Sequence, residues 1–100
     1  MDVALRYFDG CPNWQTARER LEQAMAELGL TDEVQMEKVS TQEDAERLRF
    51  VGSPTILLDG RDPFLTEDGP YGLTCRVYWT PEGAGGSPTL AQLLEALRAA

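Results

Sequence analysis

Cys11 sits where a short apolar run, Val3 to Phe8, gives way to an amphipathic helical pattern, inside the tetrapeptide Cys11-Pro12-Asn13-Trp14. A cysteine at a strand-to-helix junction meets the positive end of the helix. That field favours the thiolate, the form that attacks a disulfide. Pro12 suits the first helical turn, where its missing N–H costs nothing. Asp9 is close in sequence and its charge opposes ionisation, and no lysine or histidine lies near in sequence, so only modest activation is expected. Trp14 stands where a Cys-x-x-Cys pair would hold its second sulfur. An indole cannot attack a mixed disulfide, so no local two-thiol cycle is available, and Trp14 equally suits packing at the start of the helix. Asn13 is expected to be exposed.

Cys75, the other of the 2 cysteines, is the one candidate for a resolving thiol. The chain has no histidine, which removes Cys–His nucleophilic catalysis and the usual zinc sites. Glu19, Glu22 and Glu27 are read as a solvated helix face, and Asp59 and Asp62 lack the spacing of a calcium loop. Arg76 is read as a solvated strand charge.

The elements that must position these residues follow from periodicity. Val3–Phe8 reads as a strand with Val3, Leu5 and Tyr7 on one face. Asn13–Leu28 carries a helical stripe of Trp14, Ala17, Leu21, Ala24, Met25 and Leu28, stopped by Gly29. Glu33–Val39 reads as a second strand. Ser40 with Glu43 fits a capping box for a short helix over Thr41–Arg49. Thr55–Leu58 is a third strand, ended by Asp59-Gly60. Residues 61–73 read as an unusually long loop. Thr74–Thr80 reads as a fourth strand, Pro81–Gly86 as a turn-rich loop, and Ser87-Pro88 as the opening of a last helix striped by Leu90, Leu93, Leu94 and Leu97. On this order the third strand runs away from Pro54 and the fourth begins at the far end. Cys75 is then expected to be remote from Cys11, buried and structural, because a disulfide needs Cα atoms within about 7 Å. Return of the long loop 61–73, or a later start of the fourth strand, would bring the two together.

One hundred residues suit one domain, 1–100, and 42% hydrophobic content supports a small core. The net charge is −8, from 17 acidic and 9 basic residues, with Lys38 the only lysine. Phosphate backbones are bound by clustered Lys and Arg, so no nucleic-acid partner is expected. No apolar run approaches the roughly 18 residues of a membrane span, and the N-terminus lacks the pattern of a secretory signal. A cytoplasmic, reducing setting is the expectation, with no cofactor.

Three segments together carry a resemblance: Cys11 to Trp14, Gly52-Ser53-Pro54-Thr55-Ile56, and Gly72-Leu73-Thr74-Cys75-Arg76-Val77-Tyr78. With the order β-α-β-α-β-β-α, they resemble the thioredoxin-like superfamily, closest to small members with a Cys-Pro-Asn-Trp or Cys-Pro-Asn-Cys site, some of which are labelled alkylmercury lyase. The resemblance covers nearly the whole chain. It implies an α/β fold with a four-stranded mixed sheet flanked by three helices. It also implies a cis bond before Pro54 that sets its ring beside Cys11, and a Ser53 edge offering backbone groups to an extended peptide or thiol substrate.

Three functions fit these residues. The first is a thiol–disulfide oxidoreductase in which Cys11 forms a mixed disulfide with a small thiol or protein client. Pro12, Asn13, Trp14, Ser53 and Pro54 would contact that substrate, and a second thiol, external or Cys75, would resolve it. The second is a soft-metal module in which Cys11 and Cys75 hold mercury or copper. The third is a redox-inactive adaptor binding through exposed aromatics at Trp14, Tyr71 or Trp79. The oligomeric state is not legible.

Overall fold

A computed structural model describes residues 1–66 and 68–100. Its elements are β1 (Val3–Tyr7), α1 (Asn13–Glu27), β2 (Val34–Lys38), α2 (Gln42–Arg47), β3 (Thr55–Leu58), β4 (Tyr78–Thr80), β5 (Gly83–Gly85) and α3 (Leu90–Ala99). The fold is mixed α/β with three helices.

The main sheet has the order β2-β1-β3. β1 pairs in parallel with β2, Val3 opposite Val34 and Tyr7 opposite Lys38, and antiparallel with β3, Leu5 opposite Ile56. Alternation along β1 sends Val3 and Leu5 into a core shared with Leu21 and Ala24 of α1, Ile56 of β3, and Leu93 and Leu97 of α3. Burying each leucine or isoleucine here contributes roughly 1.5–3 kcal/mol before entropy is counted. A second, smaller cluster of Val39, Ala45 and Phe50, with Phe8 and Leu73 against it, packs beside α2.

Two helix starts fall later than the sequence reading places them. Thr41, not Ser40, caps α2, its hydroxyl accepting the Asp44 N–H at 3.1 Å. Thr89, not Ser87, caps α3 in a capping box with Gln92. Ser87 is taken up instead by Arg20, whose guanidinium donates to its hydroxyl at 3.0 Å.

The larger difference is in the sheet. It has three strands rather than four, and β4 pairs with β5 in a separate two-stranded sheet. The expected hairpin after β3 does begin. Asp59 and Gly60 take φ of +50° and +79°, the signs that a tight two-residue hairpin turn requires, and Leu58 and Arg61 exchange backbone hydrogen bonds. It stops at once. Pro63 has no N–H to continue a ladder, and the Asp62 carboxylate accepts the Phe64 N–H at 2.9 Å, which bends the backbone away. The chain then travels back past α2, where the Gln42 amide donates to the Tyr71 carbonyl, before it becomes extended again at Thr74.

Candidate functional site: two sulfurs across Ser53

Because the loop returns first, the segment around Cys75 meets the beginning of β3 rather than its end. Ser53 and Cys75 form a parallel bridge. The Ser53 N–H donates to the Thr74 carbonyl at 2.8 Å, and the Ser53 carbonyl accepts the Arg76 N–H at 2.9 Å. Two expectations are corrected by this. Cys75 is exposed rather than buried, and it lies beside the Cys11 loop rather than at the far end of the sheet. The Ser53 edge is also not open to a substrate, since residues 74 and 76 of the same chain occupy both its backbone groups.

Cys11 approaches Ser53 from the other side. β1 ends at Tyr7, and the Asp9-Gly10 turn is closed by the Cys11 N–H donating to the Phe8 carbonyl at 3.2 Å. Pro12 takes helical angles as the cap of α1. Cys11 therefore precedes the helix, as its sequence position implies, but its accessible surface is 0%. Its thiol donates to the Ser53 carbonyl at 3.4 Å. One carbonyl oxygen thus holds the Cys11 sulfur and the backbone of the Cys75 segment together. Ser53 itself is wholly buried, and its hydroxyl accepts the Phe8 N–H. The Ser53–Pro54 bond is cis.

Cys11 influences the Cys75 thiol. The pKa of Cys75 is raised above the ordinary thiol value, first because its S–H is hydrogen-bonded to Cys11, then through desolvation and through the charge that Cys11 would carry. At neutral pH the Cys75 thiol therefore keeps its proton. No third histidine, cysteine, aspartate or glutamate joins them in a metal-sized cluster among the described residues. As a metal site the pair offers two ligands.

A buried polar network fixes the Cys75 segment. The Arg76 side chain is 8% exposed and pairs with Asp62, which is 7% exposed. This corrects the reading of Arg76 as a solvated charge. The guanidinium also lies over the Tyr78 ring, 4.5 Å from its centroid, and the Tyr78 hydroxyl donates to the Pro54 carbonyl. Burial pushes the Tyr78 phenol well above its ordinary range, so it stays a donor. Gly52 completes the fit. It takes φ of +132°, and a Cβ there would come within 3.0 Å of the Arg76 Cβ.

The other predicted residues of the Cys11 segment make contacts of their own. Trp14 is half-buried and stacks on Tyr7, ring centroids 4.4 Å apart, within the main core. Asn13 is half-buried rather than exposed, with its amide over Gly86, where any Cβ would meet it at 2.4 Å. Pro12 is exposed. Of the three candidate adaptor aromatics, Trp79 is largely exposed, while Tyr71 is half-buried with its hydroxyl on Asp68. Two contributors escaped the sequence reading. Lys38 forms an ion pair with Asp9, which partners the charge expected to oppose Cys11. The parallel register that sets Tyr7 opposite Lys38 is the signal that would have found it. Asp62 had no local signal, since its partner is 14 residues away.

A cleft of about 810 Å³ is lined by Leu58, Arg61, Phe64, Gln92 and Ala96 among others and includes neither cysteine. No helix among the described residues is long and apolar enough to cross a membrane. Comparison with protein-family models, with curated proteins and with solved structures gives no match.

Proposed function

We propose that this chain is a thioredoxin-like thiol–disulfide redox protein whose working pair is Cys11 and Cys75. The observation that carries the reading is the shared anchorage on Ser53, whose one carbonyl accepts both the Cys11 thiol and the N–H of Arg76, the residue next to Cys75. The difference in exposure supports an order of events. Cys75 is open to a client and Cys11 is enclosed, so the mixed disulfide forms on Cys75 and Cys11 resolves it.

The Cys75 thiolate attacks one sulfur of a client disulfide, forms the mixed disulfide and expels the client's other sulfur as thiolate. Cys11, having lost its proton to solvent or to that leaving thiolate, attacks the Cys75 sulfur. The internal Cys11–Cys75 disulfide forms and the second client thiolate leaves. The client gains two electrons, the protein loses two, and an external dithiol resets the pair. The raised pKa of Cys75 limits the first step at neutral pH.

The test uses one equivalent of a chromogenic aryl disulfide. The native protein should release two aryl thiolates per chain and finish as a monomer with an internal disulfide. Cys11→Ala should release one and retain the other on Cys75. Retention of the aryl group by the native protein, with no second release, would remove Cys11 from the reaction.

A further inference from the structure

We propose that the outer edge of the 75–79 segment docks an extended, basic stretch of a client protein and presents that client's disulfide-bonded cysteine to Cys75. The proposal rests on the redox reading of Cys75 and names the class of partner that reading requires.

Side chains alternate along this segment. Arg76 and Tyr78 turn inward, while Cys75, Val77 and Trp79 face out, with Val77 57% and Trp79 72% exposed. Two large apolar side chains in line with an exposed thiol form a contiguous stripe rather than scattered exposure. The backbone alternates too. Thr74 and Arg76 spend their groups on Ser53, whereas the N–H and carbonyl of Cys75 and of Val77 have no backbone partner among the described residues. Beyond them the edge closes, because the Trp79 carbonyl accepts the Gln92 amide of α3. An extended peptide laid here would satisfy the free groups of residues 75 and 77 and cover Val77 and Trp79, the strand-addition mode of recognition.

Charge selects the occupant. Each cation near the segment is already spent: Arg76 on Asp62, Lys38 on Asp9 and Arg49 on Asp68. Carboxylates lie at both ends. Glu82 sits in the turn after β4, and the first turn of α2, which carries Glu43 while Asp44 is paired with Arg47, is tied to Tyr71 through Gln42. With a net charge of −8 the chain attracts a basic segment and repels a second copy of itself.

The experiment uses short synthetic peptides with one cysteine blocked as a mixed disulfide with a chromogenic aryl thiol. One peptide flanks it with alternating valine and lysine, another with valine and glutamate, and free cysteine carries the same blocking group. The lysine peptide should release aryl thiolate faster than either comparator by about tenfold at low salt, with the advantage shrinking as salt rises. Trp79→Ala and Val77→Ser, both at exposed positions, should each cut that advantage severalfold. Equal rates for all three probes would overturn the docking edge and leave the redox reading standing. No release from any probe would remove the redox reading instead. Anisotropy of a labelled lysine peptide with serine for cysteine then decides the edge: saturable binding lost in Trp79→Ala supports it, and no binding overturns it. Self-association in sedimentation that Trp79→Ala abolishes would assign the edge to a second copy and overturn the basic client.

Discussion

The two flanks of Ser53 are built in opposite ways. On one side the Cys11 loop runs from a core strand into a long helix, and its thiol is buried with its S–H on the Ser53 carbonyl. On the other, the Cys75 segment has little apolar support of its own and is held by polar anchors. These are two backbone bonds to Ser53, the Arg76–Asp62 pair and the Tyr78 hydroxyl on Pro54. The difference teaches how a small domain can keep one thiol protected and another available within reach. Burial shields the first, and a few directional bonds place the second while its outer face stays open.

If that division holds, the polar flank breaks more sharply than the apolar one when a single group is removed. Asp62→Ala strands the Arg76 guanidinium in a buried site, and unfolding by denaturant should show a loss of about 3–5 kcal/mol. Asp62→Ala with Arg76→Leu, which removes both charges, should recover most of it. Gly52→Ala strikes the same flank through backbone strain at φ +132° and the close approach of Arg76, and should cost about 1–3 kcal/mol in the same measurement.

The coupling between the flanks is sharpened by pH. Folding raises the Cys75 pKa, so at a given pH less of it is thiolate than in the unfolded chain. The stability contributed by its S–H on Cys11 is therefore complete below the ordinary thiol value of 9.0 and is lost as pH rises through the raised one. Alkylation of Cys75, followed by mass spectrometry, should still be accelerating above pH 9.0. Cys11→Ala deletes the main cause of the shift and should move that profile to lower pH, so that labelling near pH 8 becomes severalfold faster. The smallest effect is expected from Lys38→Ala. Its pair with Asp9 is exposed, and thermal unfolding should not move measurably, because solvent screens such pairs.

Local chemistry was legible in the residues. Alternation in Val3–Tyr7, the stripe of α1 and the Cys-Pro junction between them need only neighbours in sequence to be read. The position of Cys75 was not, because it depends on where a long loop turns. That turn is decided by Pro63 and the Asp62 side chain, which end a hairpin that Asp59-Gly60 begins. The sequence reading followed the hairpin to completion, and so placed a fourth strand in the sheet and Cys75 at its far end. Arg76 was misread for a related reason. A charge at an alternating strand position is solvated by default, and only the returning loop supplies the carboxylate that allows its burial.

Oxidation of the purified protein with a mild diazene oxidant, followed by disulfide mapping, tests the pairing of the two flanks most directly. The account predicts a monomer lighter by two hydrogens, with Cys11 and Cys75 joined in one cross-linked peptide. A free Cys11 accompanied by Cys75-linked dimers would contradict it.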